Sequence, residues 1–267
     1  MSDPLFDVSD QVVLVSGGSR GIGKAIAAEF AKRDARVIIT GRKLDTLESA
    51  CGEISTGKHP VAFRQNDVSD PHAAKPLVES VVSEFGRIDT LVNVAGVNIR
   101  KRVESYTVEE YDHILNINLR GLFFLSQAAG LAMLKRKSGS IINIDSLNTN
   151  APLRGVLPYA ISKAGVSMLT RGMAAEWGED GVRVNAIAPG FILTDLTKKL
   201  WSDPTMQAWG LPNTPLRRLG EVDDLPGTAI YLASRASKFM TGQVLYVDGG
   251  ISAGMRWPID LGNREHQ

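Results

Sequence analysis

Short, almost wholly apolar runs alternate along the chain with longer segments in which apolar residues recur every three or four positions. Most of the short runs are rich in β-branched residues, which predicts strands buried on both faces of a sheet. Each run is followed within a few residues by glycine, proline, asparagine or aspartate, as expected where a strand ends. The predicted strands are 12–15, 36–40, 60–65, 88–93, 140–144, 183–187 and 244–247.

The longer segments predict helices. Ile22, Ile26 and Phe30 recur at helical spacing after the first strand. A capping box at Thr107–Glu110 opens a long predicted helix that runs towards Lys135. Because strands and helices alternate throughout, we predict an α/β fold, a Rossmann-like, doubly wound, seven-stranded parallel sheet with helices on both faces. Such a sheet binds its ligand beyond the carboxyl ends of its strands.

A glycine-rich loop, Ser16–Gly23, follows the first strand and leads into the first predicted helix. Glycine permits a tight turn and a close approach of the backbone, and a helix N-terminus offers free N–H groups to a pyrophosphate. A bare glycine cluster is more often an ordinary turn, but this one has a strand before it and a helix after it. The context predicts dinucleotide binding.

Cations follow the second strand, where this fold meets the adenosine ribose. An acid at that position grips the ribose 2′-OH, whereas arginine accommodates a 2′-phosphate. Arg42 stands there, the first acid is Asp45, and Arg20 adds a second cation from the glycine loop. The pattern favours NADP, and NAD stays open because a shift of the backbone could use Asp45 instead.

Composition limits the classes of function. The chain has 267 residues, 43% hydrophobic and 22% charged, which is enough for one sizeable core. Its formal net charge of +1 gives no reason to expect a nucleic-acid or membrane partner. No run approaches the ~18 apolar residues of a membrane span. Cys51 is the single cysteine, and the histidines lack metal-ligand spacing. We expect a cytoplasmic protein without a metal.

Tyr159 and Lys163 are the most chemically suggestive pair. On a helix, residues four apart project from one face, with Cβ atoms roughly 5–6 Å apart. A free phenol has a pKa of about 10, and a fixed ammonium beside it favours the phenolate. Proton exchange near neutral pH then becomes feasible. An isolated pair of this kind is usually a packed ring beside a solvated charge, so its neighbours in the fold decide its meaning.

Together these motifs resemble the short-chain dehydrogenase/reductase family, from Asp7 to about Gly254. The glycines of the first loop match its Thr-Gly-x-x-x-Gly-x-Gly motif, with Ser16 in place of threonine. Asn93–Gly96 matches Asn-Asn-Ala-Gly with valine second, and Asn118 matches the active-site asparagine. Tyr159 and Lys163 match Tyr-x-x-x-Lys, and a serine stands at the family's usual spacing, 13 residues before the tyrosine, at position 146.

The resemblance implies reversible NAD(P)-dependent hydride transfer between a secondary alcohol and a ketone- or lactone-level carbonyl. Tyr159 would exchange the alcohol proton and Ser146 would hydrogen-bond the carbonyl oxygen. Lys163 would lower the pKa of Tyr159 and hold the ribose, and Asn118 would hold a water that links Lys163 to solvent. The implied cofactor contacts are Gly17, Ser19, Arg20, Gly21, Ile22, Gly23, Arg42, Asp67, Val68, Asn93, Ala95, Gly96, Tyr159, Lys163, Pro189, Gly190, Ile192 and Thr194.

Asp145 departs from the family, which often has a small residue or serine at this position. An ionised carboxylate near the site could disfavour the Tyr159 phenolate or bind a substrate hydroxyl. Neighbouring strand residues face opposite ways. The alternation therefore favours an Asp145 side chain that points away from the site.

Polar and cationic loops surround the predicted site, and amides and hydroxyls suit a polyhydroxylated substrate. Arginine suits an anionic group, and Arg154 is the first choice for that contact. We predict a sugar, a sugar acid or a related anionic derivative, and the loops loosely resemble those of the family's sugar-acid dehydrogenases. The candidate substrate contacts are Asn98, Arg100, Ser146, Asn148, Arg154, Tyr159 and Trp201.

Two other functions fit part of the sequence. A 3-oxoacyl-carrier-protein reductase shares the catalytic motifs, but it needs a basic patch for its acidic carrier and an apolar acyl channel. The polar run Asn148–Asn150 argues mildly against it. A non-catalytic nucleotide-sensing protein could lose Ser146, Tyr159 or Lys163, yet all three are present.

The resemblance also predicts the organisation and assembly of the chain. Residues 5–255 form the predicted NAD(P)-binding catalytic domain, with a lid near 191–216. A homotetramer is implied, built from the fourth and fifth long helices and the seventh strand. The tail, 256–267, contains Trp257, which suggests docking against a neighbouring subunit.

Overall fold

Seven parallel strands form one sheet in the computed structural model, which describes residues 3–254 apart from the side chain of Leu196. Every predicted strand is present, with ends that differ from the prediction by up to two residues. The strands are β1 Val12–Ser16, β2 Arg36–Gly41, β3 Ala62–Gln65, β4 Thr90–Asn93, β5 Gly139–Ile144, β6 Val182–Pro189 and β7 Val244–Val247.

The strand order is β3-β2-β1-β4-β5-β6-β7, and all six neighbouring pairs are parallel. The chain first builds outward from β1 to β3 and then returns to place β4 on the other side of β1. The carboxyl ends of β1 and β4 therefore flank a crevice at the switch point, which is where an open α/β sheet binds its ligand. The predicted fold class is confirmed.

Helices cover both faces of the sheet. They are α1 Gly21–Lys32, α2 Leu44–Ile54, α3 Ala74–Phe85, α4 Val108–Leu115, α5 Leu122–Leu134, α6 Leu157–Trp177, α7 Asp195–Trp201, α8 Pro204–Asn213 and α9 Pro226–Ala233.

Alternate residues of each strand feed two separate cores. Val13 and Val15 of β1 pack with Ile26 and Phe30 of α1, on the face that α2 and α9 also cover. Leu14, between them, packs on the other face with residues of α3, α5 and α6. Because both faces are buried, the strands read as continuous apolar runs rather than as alternating ones.

The helix predicted to begin at Thr107 has its capping box, in which Thr107 and Glu110 bond each other's backbone N–H groups. It is interrupted by a π-helical turn, Asn116–Gly121, between α4 and α5. A side chain at Gly121 would collide with the carbonyl of Val68, so the π-helical turn lies directly against the loop that follows β3. Such turns often mark functional sites.

The stretch Val108–Leu134 is long and apolar enough to cross a membrane by length and composition alone, with a mean hydropathy of 1.3 in its most apolar window. Half of that window is buried inside the protein. One such helix is weak evidence for a span, because a core helix passes the same test. The expectation of no membrane partner stays a prediction, and the predicted docking of 256–267 lies outside the described residues.

Candidate active site

The glycine loop is built for close packing at the carboxyl end of β1. Gly17 has φ +78°, and a Cβ there would lie 2.8 Å from the nitrogen of Ala95 in the loop after β4. The N–H groups of Val94 and Ala95 both donate to the carbonyl of Ser16, at 3.0 and 3.1 Å. The loop of β1 and the loop of β4 therefore form one continuous surface at the switch point.

The amino end of α1 suits a phosphate. Its N-cap, Arg20, makes no side-chain cap, so the first N–H groups of the helix have no side-chain acceptor. Gly21 has φ +52°, a left-handed conformation that glycine adopts without strain. Free N–H groups at a helix N-terminus bind anions. The residues present thus fit the pyrophosphate of a dinucleotide.

The adenosine end of the predicted site is cationic. The Ser19 hydroxyl lies beside Gly41, 3.4 Å from where a Cβ of Gly41 would stand, and Arg42 follows with an exposed side chain. Burial raises the pKa of Asp67, but its hydrogen bonds from Ser69 and the charge of Arg42 outweigh burial and hold that pKa below its ordinary value. Asp67 is therefore ionised near Arg42.

The segment after β6 lies at the opposite end of the predicted cofactor site. The N–H of Gly190 donates to the carbonyl of Val247 at 3.1 Å, and Pro189 belongs to β6 itself. Ile192 is buried, whereas the Thr194 side chain lies 3.7 Å from the position of a Cβ on Gly21. Residues predicted from two distant parts of the sequence thus meet over the glycine loop.

Tyr159, Ser146 and Lys163 converge on one cleft, as the sequence predicts. The Lys163 ammonium is buried, donates to the carbonyl of Ile144 at 2.6 Å and lies 5.7 Å from the centre of the Tyr159 ring. The Ser146 hydroxyl faces Tyr159 closely enough to lower the pKa of the phenol by hydrogen bonding. Helix α6 carries the tyrosine and the lysine, and the end of β5 carries the serine.

The pKa of Tyr159 corrects one expectation. Burial raises this pKa above its ordinary value; Ser146 lowers it, Asp145 raises it further and Arg100 lowers it. Lys163 was expected to make the phenol more acidic, but burial of the ring penalises the phenolate more than its neighbours favour it. Burial also lowers the pKa of Lys163, to about 8, against the opposing charge of Asp145.

The Asn118 side chain joins three parts of the site. Its amide group donates to the carbonyl of Val97 at 2.9 Å and to the Ser162 hydroxyl at 3.0 Å, and its oxygen accepts from the Val97 N–H at 2.8 Å. The Ser162 hydroxyl donates in turn to the carbonyl of Tyr159 at 2.7 Å. The side chain thus positions the loop after β4 and the start of α6, while the predicted water stays a prediction.

Asp145 does not point away from the catalytic helix. Strand alternation holds, since Asn143, two residues earlier, donates to Thr170 of α6 at 2.9 Å. Asp145 therefore lies on the face of β5 that α6 covers, and its charge acts on Lys163 and Tyr159. The carboxyl group is only 2% exposed, so it is not available to bind a substrate hydroxyl.

Two loops held together flank the cleft on the substrate side. The Tyr106 hydroxyl donates to the carbonyls of Ile99 and Gly155, at 2.5 and 3.2 Å. The Lys101 N–H donates to the same Gly155 carbonyl at 2.9 Å. Arg100 lies between these two attachments, and its charge reaches Tyr159. The Asn98 side-chain oxygen is enclosed without a hydrogen-bond partner among the described residues.

Three predicted substrate contacts have other surroundings. Trp201 is buried, its ring centroid lies 4.8 Å from that of Phe191, and its indole packs on Gly210 of α8. It therefore stabilises the predicted lid from inside. Arg154 is exposed, and its charge is not among those that act on Tyr159. The Asn148 amide donates to the Ser146 hydroxyl at 3.1 Å and its oxygen accepts from the backbone of the following loop, at 2.9 Å.

Sequence reasoning missed Ser162, Tyr106 and the positioning role of Asn148. Ser162 follows Tyr159 by three residues and so faces the same side of α6, a spacing that could have identified it. Tyr106 acts across a loop-to-loop contact that no local pattern encodes. Among residues 3–254, no three His, Cys, Asp or Glu side chains are grouped to hold a metal.

Known proteins share this arrangement over almost the whole chain. A family model described as Enoyl-(Acyl carrier protein) reductase matches residues 17–252. A solved structure described as a short chain dehydrogenase/reductase family protein is 34% identical, with a TM-score of 0.84 over 93% of this chain and 100% of that one. The chain belongs to the short-chain dehydrogenase/reductase family. It is an NAD(P)-dependent oxidoreductase, and the alternative of a non-catalytic sensor is set aside.

Several relatives within this family act on sugar acids. A gluconate 5-dehydrogenase of Gluconobacter oxydans is 37% identical over 256 residues, 96% of this chain and 100% of that protein. The structure of a gluconate 5-dehydrogenase from Burkholderia cenocepacia in complex with NADP and tartrate is 32% identical and superimposes with a TM-score of 0.91, covering 94% of this chain and 99% of that one.

Identity alone does not separate the substrate classes. A 3-oxoacyl-[acyl-carrier-protein] reductase of Chlamydia muridarum is 38% identical over 245 residues, 91% of this chain and 98% of that protein. This value is as high as that of the Gluconobacter dehydrogenase. The residues that surround the cleft, rather than overall similarity, therefore have to distinguish the two substrates.

Proposed function

We propose that this enzyme interconverts a secondary hydroxyl and a ketone on a sugar acid, using NADP(H). Arg100 carries this proposal, because its guanidinium is exposed and still close enough to lower the pKa of Tyr159. A carboxylate bound by Arg100 would hold a polyhydroxylated chain against the acid–base residue. The names of the relatives, gluconate 5-dehydrogenase and 5-keto-D-gluconate 5-reductase, support the same class of substrate.

Arg100 replaces Arg154 as the preferred anion contact. Both side chains are exposed, but only the charge of Arg100 acts on the phenol. Its neighbours on either side are fixed, Ile99 by the Tyr106 hydroxyl and Lys101 by the carbonyl of Gly155. A held backbone reduces the conformational entropy that the arginine loses when an anion binds.

Residues of the protein itself carry out the proton transfer. The Ser146 hydroxyl accepts hydrogen bonds from the backbone and side-chain amides of Asn148, at 3.2 and 3.1 Å. Its own hydrogen therefore points towards the phenol of Tyr159, where it can donate to a substrate oxygen bound between the two hydroxyls. Tyr159 takes the alcohol proton in oxidation and returns it in reduction. The cofactor, when bound, would supply the redox chemistry, with NADP+ as the hydride acceptor in oxidation and NADPH as the donor in reduction, while the protein positions and polarises the substrate.

NADP rather than NAD is favoured by the cations after β2 and in the glycine loop. Arg42 is exposed at the end of β2 and Arg20 is exposed at the N-terminus of α1. No acid stands among residues 41–43, where an NAD-specific site needs one. The complex of the Burkholderia relative with NADP supports the assignment.

We also propose a cytoplasmic homotetramer. An apolar groove runs between the two long helical segments named in the prediction, and it is lined by Leu119 and Phe123 on one side and by Leu169 and Gly172 of α6 on the other. A groove of this kind suits a second copy of the same helices. The thiol of Cys51 is buried and free, which fits a reducing compartment.

A substrate panel tests the proposed function. Initial rates with NADP or NADPH would be compared for gluconate, 5-keto-D-gluconate, neutral sugars and a 3-oxoacyl thioester. We expect the sugar acids to give the highest kcat/KM. Substitution of Arg100 by methionine should raise the KM for the acids about 10- to 100-fold, since a charge-assisted pair is worth about 1.5–3 kcal/mol, with little change for neutral substrates.

Arg102→Met is the matched control for Arg100→Met. Arg102 belongs to the same loop, is exposed and is paired with Glu104, so its replacement should leave the KM for sugar acids unchanged. If sugar acids and neutral sugars were both inert while the 3-oxoacyl thioester was reduced, the sugar-acid proposal would be wrong and the carrier-protein reductase would take its place.

A further inference from the structure

A buried carboxyl group lies under the catalytic helix, at a position not used in the mechanism above. Asp145 follows β5 directly, and its N–H donates to the carbonyl of Ile187 of β6 at 2.7 Å, so the residue is fixed at the edge of the sheet. Its side chain is 2% exposed. A carboxyl group enclosed at this depth needs hydrogen bonds or an opposite charge to remain ionised.

The two carboxyl oxygens of Asp145 have unequal surroundings. One accepts the Thr149 hydroxyl at 2.5 Å. The other is fully enclosed and has no hydrogen-bond partner in the described part of the chain. One oxygen is therefore left without a hydrogen bond, and the backbone of Ser146 and the neighbouring charges of Lys163 and Arg171 supply the further stabilisation of the anion.

Helix α6 supplies those charges. Lys163 stabilises the Asp145 anion more than Arg171 does, and Tyr159 lies on the same helix. From the sheet, Tyr246 of β7 also senses the carboxylate. The Lys163 ammonium is bound to the carbonyl of Ile144, the residue next to Asp145, so the ammonium and the carboxyl group are held on adjacent residues of one strand end.

We propose that Asp145 is the buried counter-charge of Lys163, and that through this lysine and the adjacent phenol it sets the pH range in which Tyr159 exchanges its proton. Asp145 is thus a positioning residue for charge rather than a group that touches the substrate. The proposal needs the acid–base role of Tyr159 but not the identity of the substrate proposed above.

The charge of Asp145 decides in which direction the pKa values of Lys163 and Tyr159 should shift. Burial raises the pKa of Asp145 to about 6, although the Thr149 hydroxyl and Lys163 oppose this rise. Above that pH the carboxylate is negative, which raises the pKa of Lys163 and so keeps the ammonium charged. The same negative charge raises the pKa of Tyr159 and disfavours its phenolate. Removal of the charge should therefore lower both pKa values together.

The test is the pH profile of alcohol oxidation in Asp145→Asn, with any alcohol that the enzyme accepts. The two limbs report the ionisations of Lys163 and Tyr159 as an interacting pair, and the limb at lower pH should move down by about one pH unit. The limb at higher pH should move in the same direction, because the charge of Asp145 raises both pKa values. If Asp145 had only a structural role, Asp145→Asn would lower kcat at every pH and leave both limbs where they are in the wild type.

Thr149→Val provides a second route that leaves Asp145 itself unchanged. Loss of the Thr149 hydrogen bond raises the pKa of the carboxyl group from about 6 towards that of Lys163. The carboxylate is then partly neutral where the limb at lower pH begins, so that limb should move down by a smaller amount than in Asp145→Asn. Thr149→Ser keeps the hydroxyl and should keep the wild-type profile. Ultraviolet titration of phenolate absorbance, with Tyr159→Phe as the blank, measures the same shift without any substrate.

The proposal would be overturned if Asp145→Asn and Thr149→Val both left the two limbs and the phenolate titration where they are in the wild type. An acid limb that moved to higher pH in Asp145→Asn would contradict it equally, since the sign of the coupling would be reversed. A sugar-acid panel that failed would leave these pH shifts unaffected, so the two proposals fail separately.

Discussion

At the scale of single residues, the site depends on side chains that hold the reactive groups as much as on the reactive groups themselves. Ser146 donates usefully only because Asn148 occupies its acceptor positions through a backbone and a side-chain amide. Asn118 similarly fixes the start of α6 through Ser162. Two asparagine amides thus help to position the Ser146 hydroxyl and the start of the helix that carries Tyr159.

Replacement of Asn148 by alanine removes the side-chain donor to Ser146 and leaves the backbone donor. A hydrogen bond of about 1 kcal/mol corresponds to roughly a fivefold to tenfold change in rate. We expect kcat to fall by that factor while the dissociation constant for NADPH stays the same. Stopped-flow kinetics and fluorescence titration would measure the two quantities.

Asn150→Ala is the control for Asn148→Ala, because Asn150 is exposed and lies two residues further along the same turn. It should behave as the wild type. An equal loss of rate in both variants would show that the turn, rather than the Asn148 amide, is responsible.

At the scale of elements, two loops line the substrate side of the cleft, and the hydroxyl of Tyr106 joins them. Tyr106 links the loop after β4 to the loop before α6 through the carbonyls of Ile99 and Gly155. The salt bridge between Lys101 and Glu110 ties the first of these loops to α4 as well. The loops are thus fixed relative to each other before any substrate binds.

The substitution Tyr106→Phe keeps the ring and deletes both hydrogen bonds. The loop that carries Arg100 should then sample more conformations, and the entropic cost of binding an anion should rise. We expect the KM for sugar acids to increase about fivefold, equivalent to one lost hydrogen bond, with kcat within a factor of two. Steady-state kinetics with an acid and a neutral substrate would separate the effects.

Tyr111→Phe serves as the matched control, since Tyr111 is exposed on α4 and lies outside the two loops. If Tyr106→Phe lowered kcat without changing KM, the loops would be acting on the chemical step, and the proposed preorganisation of Arg100 would be wrong.

Regular elements were predictable from the sequence because their periodicity is local. The strands and the Thr107 capping box were found where the apolar runs and the cap residues put them. The direction of Trp201 was not predictable, because it follows from the packing of α7 on α8. The sign of the pKa shift of Tyr159 was missed for a related reason, since burial is a property of the fold and not of the Tyr-x-x-x-Lys spacing.

The preference for Arg100 over Arg154 as the anion contact could not be predicted from composition alone. Arg100 and Arg154 both stand in polar loops, and the sequence favoured the second. What separates them is that the charge of Arg100 acts on the phenol, while hydrogen bonds to the carbonyl of Gly155 hold its loop. Contacts between two loops distant in sequence decide such cases.

At the scale of the whole molecule, the two long helical segments leave an apolar groove on the outside of the domain. Phe123 of α5 is 39% exposed there. Exposed aromatic side chains along a groove favour association, and the proposed tetramer would bury this one.

A charge placed in the groove should break the assembly. We expect Phe123→Glu to shift the protein from tetramer to a smaller species in sedimentation velocity, because two-fold symmetry would face each glutamate with its copy. Leu131→Glu is the control, as Leu131 is 57% exposed on the same helix but does not line the groove. A monomeric wild-type protein would contradict the prediction.

The start of the predicted lid crosses above the glycine loop, where Thr194 lies 3.7 Å from the position of a Cβ on Gly21. The segment that covers the predicted pyrophosphate site is thus continuous with the helices of the predicted lid, which would enclose the substrate. We expect this segment to move when the cofactor exchanges, and the same movement would open the substrate side of the cleft. We therefore expect compulsory order in turnover, with the nucleotide first to arrive and last to depart.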